Sequence, residues 1–356
     1  MWKVRIVKSD KDKQMFLDLP KRLYSKKYRV QDRKLEESLL NRTHVLSSEF
    51  EIVPLIMLNK ERVVCRCMLT FYPEDEAAYL GFFECEDYVE YMKVLMNEVD
   101  KIATDVGKKK IIGPLDASFW IKYRFKTNKF NNTYTSEPYN LEYYPKLWQE
   151  AGFKVIYNYS SNQMRIPTAE DTSAKCRQRL ENFKQKGYEF KEPTKDNFYT
   201  CMKEIYYLLT KLYSNFPGYK SITEEQFISM FKSLEMVLDF SMVKLVYKES
   251  KLAAFLITIP NYRNLTYNIN LINIIKILSI KCKPKEYIML YMGVDNEHAG
   301  LGSAIAELMK REMEKKKAKS ISALILDGKV TNNYYKDVIV DKYTYALYER
   351  DILEID

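Results

Sequence analysis

A glycine-bearing loop between an apolar run and an amphipathic segment carries the clearest chemical signal in the chain. The apolar run Tyr287 to Val294 has no helical spacing and predicts a buried strand. The next loop ends in Gly300-Leu301-Gly302, and Ser303 to Lys317 then shows the apolar spacing of a helix. The first N–H groups of a helix lack intrahelical partners, and glycines let an anion approach them closely. The pattern therefore predicts a phosphate-binding loop, with a plain tight turn as the alternative.

A second group of side chains follows another predicted strand, Lys110 to Leu115. Loops at strand ends commonly carry binding groups. The polar and aromatic candidates for substrate binding in this region are Asp116, Trp120, Arg124, Glu137, Tyr139 and Asn140. We interpret them as a pocket at the junction of two domains. The alternative is a long loop held in place by aromatic packing and by pairing of Asp116 with Arg124.

Composition and charge restrict the class of protein. At 356 residues the chain is long enough for two domains, and 46% apolar with 29% charged residues is typical of a globular protein. The net charge of +9 suits an anionic ligand and could also suit nucleic acid. Because no nucleic-acid recognition motif occurs, we do not favour that partner. The basic residues of a predicted helix, Ala174 to Gln185, among them Arg179, are interpreted as solvated.

Cysteine and histidine usage argues against a metal site. The six cysteines show no CxxC spacing and the chain has two histidines, so we expect no zinc. No apolar stretch reaches membrane-spanning length, and the amino terminus has no apolar signal core. We therefore expect a cytoplasmic protein with reduced thiols and no membrane partner.

The two halves of the chain repeat one order of predicted elements: strand, helices, hairpin, strand, helix and strand. Hairpin turns are indicated at residues 59–62 and 248–251. An apolar insertion at residues 271–280 precedes the glycine loop, and helix is slightly favoured there. In the first half, the link matching the glycine loop is residues 84–87, Glu-Cys-Glu-Asp, with no glycine and three carboxylates. This link is a poor anion site, and we interpret its carboxylates as helix caps.

Residues 297–302, Glu-His-Ala-Gly-Leu-Gly, resemble the coenzyme A loop of the GNAT superfamily of N-acetyltransferases. That family carries Arg/Gln-x-x-Gly-x-Gly/Ala between a strand and a helix and holds the coenzyme A pyrophosphate there. The glycines match, and Glu297 stands in place of Arg or Gln. Residues 137–140 ahead of Gly152-Phe153 also resemble the carboxy-terminal part of such a domain, with residues 332–335 as their counterpart in the second half.

The resemblance implies an α/β (α+β) fold of two tandem acetyltransferase-type domains. Each would be a mixed, mostly antiparallel twisted sheet flanked by helices. The implied domains are residues 1–166, a degenerate domain without the phosphate loop, and residues 173–356, which carry the acyl-CoA loop. The cofactor, acetyl-CoA or another acyl-CoA, is therefore expected in the second domain. The first domain is left for substrate binding, support or both.

Residue roles also follow from the resemblance. The residues expected to bind the cofactor are Met292, Val294, Gly300, Leu301, Gly302, Ser303 and Asn332. The expected acid for the leaving thiolate is Tyr335, with Tyr334 as the alternate. The expected base is Glu297, with Asp295, His298 or a chain of water molecules as alternatives.

The function implied by the resemblance is an acyl-CoA-dependent N-acyltransferase, in the first place an N-acetyltransferase. It would move an acyl group from coenzyme A to the amine of a small molecule or peptide. One alternative is a Fem-like aminoacyl transferase, which is also a tandem acetyltransferase fold and takes an aminoacyl-tRNA donor. The other is a non-catalytic ligand-binding protein with a decayed site. The sequence identifies neither the acceptor nor the oligomeric state.

Overall fold

Two units make up the chain in a computed structural model that describes residues 2–171, 174–267 and 269–352. Unit 1 contains Met1–Thr133, Pro138–Asn158 and Thr344–Asp356, and unit 2 contains Tyr134–Glu137 and Tyr159–Tyr343. These ranges differ from the predicted domains. Residues 159–164, at the end of the first half, pair with a strand of unit 2, and residues 345–351, at the end of the second half, pair with strands of unit 1.

The helices and strands alternate along both halves. The first half contains β1 (Trp2–Ile6), α1 (Asp10–Leu23), α2 (Arg33–Leu40), β2 (Glu51–Asn59), β3 (Arg62–Phe71), β4 (Ala77–Cys85), α3 (Val89–Asp105), β5 (Lys110–Gly113), β6 (Phe125–Lys126), α4 (Tyr144–Glu150) and β7 (Lys154–Met164). The second half contains α5 (Ala174–Gln185), β8 (Tyr188–Lys191), α6 (Phe198–Tyr213), α7 (Glu224–Phe231), β9 (Lys244–Lys248), β10 (Lys251–Pro260), α8 (Leu271–Cys282), β11 (Glu286–Val294), α9 (Leu301–Lys316), β12 (Lys319–Leu326) and β13 (Ile339–Asp351).

Each unit is built on a mixed sheet. In unit 1 the strand order is β1-β2-β3-β4-β5-β13, and β4 with β5 is the parallel pair among the described strands. In unit 2 the order is β7-β12-β11-β10-β9-β8, and there the parallel pair in the described ranges is β11 with β12. These mostly antiparallel sheets flanked by helices confirm the predicted fold class.

Local sequence explains the hairpins and the cores. Lys60 turns β2 into β3, and Glu249 and Ser250 turn β9 into β10, all with positive φ as tight hairpins require. In unit 1 the apolar face of α3 and the Trp148 ring of α4 pack into the core of the sheet. In unit 2 the apolar stripe of α9, from Ala304 to Met313, packs in the same way. Within the described ranges, no helix combines the length and the apolarity needed to cross a membrane.

A close backbone approach fills the space beside β4. The parallel pairing of β4 with β5 ends at Tyr79, where the two strands diverge. Leu115 N then donates to Leu80 O at 2.9 Å, and Phe82 N donates to Asp116 Oδ1 at 2.5 Å. A Cβ atom on Gly81 would lie 2.0 Å from Leu115 O, so this approach requires glycine.

We predict that Gly81→Ala lowers the free energy of unfolding by about 3 kcal/mol, because the added methyl would overlap backbone atoms that cannot rotate away. Urea denaturation of both proteins measures the difference. Gly107→Ala is the matched control. It also lies in unit 1, has φ of +74° and open space around its Cβ position, and should cost only about 1 kcal/mol. Equal losses in the two variants would contradict the close approach at Gly81.

Candidate functional site

The end of β11 offers backbone polar groups along one edge. Met289 is the last residue of β11 that pairs with β12. On the opposite edge, Asp295 N donates to Ala253 O of β10 at 2.9 Å. Alternate residues of an antiparallel strand turn both backbone groups to the same neighbour. Met292 and Val294 therefore turn their N–H and C=O groups away from β10, to the edge from which β12 has diverged.

The N-terminus of α9 is built for close approach. Gly300 caps the helix with φ of 88°, in the left-handed region that favours glycine, and contributes no capping side chain. Leu301 is fully buried and anchors the first turn in the core. The N–H groups of Leu301 and Ser303 donate within the turn, to His298 O and Gly300 O. The first turn contains no acidic residue, so the positive end of the helix dipole has no neutralising carboxylate there.

Two side chains from other elements reach this turn. The Arg179 guanidinium of α5 donates to Ser303 Oγ at 3.2 Å, and its Cδ and Nε lie 3.7 Å from the Cβ position of Gly300. The Tyr334 hydroxyl lies 2.4 Å from the Cβ position of Gly302, so any other residue at 302 would displace the phenol. A cation, a phenol and a glycine-opened helix terminus therefore meet at one place in unit 2.

The three candidate bases in the loop differ in their surroundings. Asp295 forms an ion pair with Lys211 at 2.7 Å, and the hydrogen bond from Lys211 lowers the pKa of Asp295. His298 Nδ1 and the Tyr188 hydroxyl are hydrogen-bonded at 2.9 Å. Glu297 is exposed on the outside of the loop. The lowered pKa makes Asp295 a weaker base. Glu297 has the more exposed carboxylate of the two.

Tyr335 and Asn332 lie after β12, in the segment that leads to β13. Tyr335 is buried in the unit 2 core, and its hydroxyl has no hydrogen-bond partner among the described residues. Burial raises the pKa of this phenol, which therefore stays protonated at neutral pH. Asn332 Oδ1 accepts hydrogen bonds from Ser160 Oγ at 3.2 Å and Asn162 Nδ2 at 3.4 Å. Asn332 is thus held against β7.

Unit 1 contains a small polar cleft of about 40 Å³. It is lined by Pro20, Tyr24, Arg29, Val30, Gln31, Glu36, Arg66, Phe82, Phe83, Glu84, Pro114, Asp116, Lys122, Tyr123, Arg124, Phe125, Pro138, Tyr139 and Asn140. Four of the six predicted substrate-binding residues are in this lining: Asp116, Arg124, Tyr139 and Asn140. The volume is enough for a few water molecules or one small polar group.

The other two predicted substrate-binding residues lie elsewhere. Trp120 is buried in unit 1, where its backbone N–H donates to Ser118 Oγ at 3.3 Å. Glu137 belongs to unit 2 and is fully buried, with Oε2 accepting from Tyr134 N at 3.3 Å. The predicted set is therefore divided between the units.

A buried ion pair forms the floor of the cleft. Arg66 donates to Glu36 from both terminal nitrogens, at 2.6 and 3.1 Å, and to Phe16 O at 3.0 Å. Arg66 is 2% exposed and lies 3.8 Å from Glu84. Such a bidentate pair tolerates burial because each charge has a partner. Arg66 Nε has no hydrogen-bond partner among the described residues.

Glu84 is a titratable group of the cleft whose pKa burial brings close to neutrality. Its carboxylate accepts from the Tyr144 hydroxyl at 2.7 Å and from the Tyr24 hydroxyl. Burial raises the pKa of Glu84 to about 7, and the nearby Arg66 charge opposes that rise. Across the cleft, Asp116 pairs with Lys122 at 2.9 Å. The cleft therefore combines a carboxyl group of raised pKa with charges of both signs.

Sequence reasoning missed three of these groups. Arg179 was interpreted as solvated, and no local pattern connects it to a loop more than a hundred residues away. Glu84 was assigned to helix capping, although it precedes the helix and lies in β4. Arg66 offered a signal that could have been used, because a lone charge inside the apolar run of β3 indicates a buried partner.

Comparison with known proteins gives a result only at the level of structure. The sequence matches no family model and no curated protein. A tandem GNAT protein from the clavulanic acid biosynthesis pathway has a TM-score of 0.53 and 9% identity, with 100% of both chains covered. A probable N-acyltransferase from Enterococcus faecalis V583 has a TM-score of 0.51 and 11% identity, covering 99% of this chain and 73% of that chain.

A GNAT-family acetyltransferase from Colwellia psychrerythraea is similar over 99% of this chain and 100% of its own, with 10% identity and a TM-score of 0.50. At such identities a likeness establishes the fold alone. The order of strands and helices in both units agrees with it. The chain therefore has the GNAT fold, in the two-domain form found in a tandem GNAT protein.

Proposed function

We propose that the protein is an acyl-CoA-dependent N-acyltransferase that binds acyl-CoA in unit 2. The observation that carries the proposal is the meeting of Gly300, Gly302, Arg179 and Tyr334 at the N-terminus of α9. The positive end of a helix dipole, a guanidinium and a phenol hydroxyl all attract anions, and together they suit a diphosphate. In this proposal Arg179 supplies the positive charge that Glu297 does not.

The strand beside this turn suits the rest of such a ligand. Met292 and Val294 present backbone groups at the edge where β12 has diverged from β11. An extended amide chain can bind such an edge as a strand does. Met292 O already accepts from the Tyr213 hydroxyl at 3.4 Å, a long bond that a better donor could replace. Bound acyl-CoA would supply an activated thioester.

Amide formation requires a proton to leave the amine and a proton to reach the departing thiolate. Tyr335 is protonated at neutral pH because burial raises its pKa, and its hydroxyl has no partner among the described residues. It is therefore our candidate donor, with Tyr334 as the alternate. Glu297 is the candidate acceptor, because its carboxylate is exposed and can pass a proton to solvent. Asn332 remains a proposed cofactor contact.

Unit 1 has a different proposed role. Leu115 and Asp116 fill the space beside Gly81 that an extended ligand would need, so we assign no acyl-CoA to this unit. The cleft lined by Asp116, Glu84 and Tyr139 is instead our candidate site for the acceptor. It contains groups of both charges, and its volume suits one small polar group of the acceptor.

We predict that Arg179→Gln weakens acetyl-CoA binding by about 10-fold to 100-fold, since a hydrogen bond to a charged group contributes about 1.5–3 kcal/mol. Isothermal titration calorimetry with acetyl-CoA measures the affinity, and ATP tests whether any nucleotide phosphate suffices. Arg177→Gln is the matched control, because Arg177 lies on the same helix and is exposed. Its affinity should equal that of the wild type.

Three results would count against the assignment of acyl-CoA to unit 2. They are unchanged affinity in Arg179→Gln, an equal loss in Arg177→Gln, and no binding of acetyl-CoA by the wild type. In the last case, salt-sensitive binding of aminoacyl-tRNA would instead select the aminoacyl transferase.

We predict that Glu84→Gln changes how stability depends on pH. The folded pKa of about 7 exceeds the ordinary value of 4.5, so ionising Glu84 disfavours the folded state. The stability that protonated Glu84 contributes is present below about pH 4.5 and is lost as the pH rises through 7. Glutamine cannot ionise, so the unfolding free energy of the variant relative to wild type should rise by at most about 3 kcal/mol across that range.

Urea denaturation at several pH values between 4.5 and 8 gives this difference. Glu61→Gln is the control, because Glu61 is an exposed carboxylate in a hairpin turn of the same unit. Its profile should run parallel to that of the wild type. A Glu84→Gln profile that also ran parallel would mean that Glu84 does not titrate near neutrality.

A further inference from the structure

Helix α8 has its apolar side turned outward. Five large apolar side chains of this helix are exposed, and none of its residues is buried. Leu271, Ile275 and Leu278 are 80%, 67% and 55% exposed and follow each other at the 4-and-3 spacing of one helix face. The less exposed residues, among them Asn273 and Ile277, lie on the opposite side. A helix packed on a globular core shows the reverse arrangement.

The exposed apolar area extends beyond the helix itself. Ile269, just before α8, is 68% exposed, and Met236 is 70% exposed. Met236 adjoins the helix, because its carbonyl oxygen accepts from Lys281 Nζ at 2.7 Å. Contiguous apolar surface of this kind normally marks a binding surface. We call Ile269, Met236 and the outward side chains of α8 the α8 patch.

The charge of the segment that carries α8 is of one sign. Residues 261–285 contain five cations and no aspartate or glutamate. The five are Arg263, Lys276, Lys281, Lys283 and Lys285. On a helical projection, Lys276 lies on one flank of the outward apolar stripe and Lys281 lies on the other, and Lys283 follows the last turn. Long lysine side chains in these positions can extend to a polar layer while the apolar stripe is buried.

We infer that the α8 patch docks on an anionic lipid surface. The apolar stripe would enter the boundary between headgroups and acyl chains, and the lysines on both flanks would contact lipid phosphates. A helix of 12 residues is about 18 Å long, too short for a hydrocarbon core of about 30 Å, so it lies along the surface. This differs from the expectation of no membrane partner, which considered only spanning segments.

A second copy of the chain fits the α8 patch less well. Two α8 helices face to face would bring the flanking lysines of both copies together, and residues 261–285 contain no carboxylate to pair with them. A protein partner would need an apolar groove with an acidic rim on both sides. An anionic bilayer provides apolar depth and negative charge over its whole surface, and so matches both features at once.

Flotation of the full-length protein with vesicles tests this inference. The vesicles are phosphatidylcholine alone, or phosphatidylcholine and phosphatidylglycerol in equal parts. We expect binding to the anionic vesicles that weakens with salt, and much weaker binding to phosphatidylcholine. Ile275→Asn with Leu278→Asn should weaken binding at least tenfold. Lys276→Gln with Lys283→Gln should weaken it about fivefold for each lysine.

The control is Lys3→Gln with Lys101→Gln, which removes two exposed lysines from unit 1 and should leave vesicle binding unchanged. All the substituted side chains are exposed, so urea denaturation should show wild-type stability in each variant. Failure of the wild type to bind anionic vesicles would overturn the inference, as would equal binding by all variants. Concentration-dependent self-association that Ile275→Asn with Leu278→Asn abolishes would also overturn it, because a second copy would then cover the patch. None of these results depends on acetyl-CoA binding.

Discussion

In each unit two neighbouring strands pair in parallel for only a few residues and then diverge. A parallel neighbour satisfies the backbone groups of a strand only as far as the pairing continues, and beyond that point those groups need another partner. In unit 1 the chain supplies the partner itself, because Asp116 accepts from Phe82 N and Leu115 approaches Gly81. In unit 2, Met292 and Val294 turn their backbone groups to the diverging edge. Beside the diverging strands, backbone groups are therefore paired within the chain in unit 1 and turned to the diverging edge in unit 2.

Asp116, which fills the space beside β4, also contributes a charge to the cleft of unit 1. Asp116 accepts from Phe82 N and pairs with Lys122, so its carboxylate is held in one wall of the cleft. Arg66 lies on the floor between Glu36 and Glu84, and it satisfies Glu36 at hydrogen-bond distance while Glu84 is 3.8 Å away. Glu84 therefore receives only part of the compensation that a buried carboxylate needs, and burial dominates its pKa. The closed space beside β4 and this partly compensated carboxylate therefore occur in the same unit.

Periodicity and turn chemistry predicted the elements well because both are local. The hairpins at Lys60 and at Glu249-Ser250 and the helix after Gly302 all follow from spacing within a few residues. The pairing of β7 with β12 and of β13 with β5 was not predictable, because a strand pattern does not specify its pairing partner. Of the candidate site, only the residues close together in the sequence were predictable. Gly300 and Gly302 were found from spacing, whereas Arg179 reaches the same turn from α5 and Tyr334 reaches it from the segment after β12.

Helix α8 also shows a feature that local spacing does not predict. An apolar stripe at helical spacing indicates which residues share a face, but it does not indicate whether that face turns inward or outward. Elsewhere in unit 2 the stripe turns inward, as in α9, where Ala304 and Met309 are fully buried. In α8, Leu271 and Ile275 are exposed, although the helix contains more apolar residues than α9 does. Exposure of this kind is costly in water at about 25 cal/mol per Å² of apolar surface. The lysines that flank the stripe would not reduce that cost in water, but at an anionic surface they and the stripe act together.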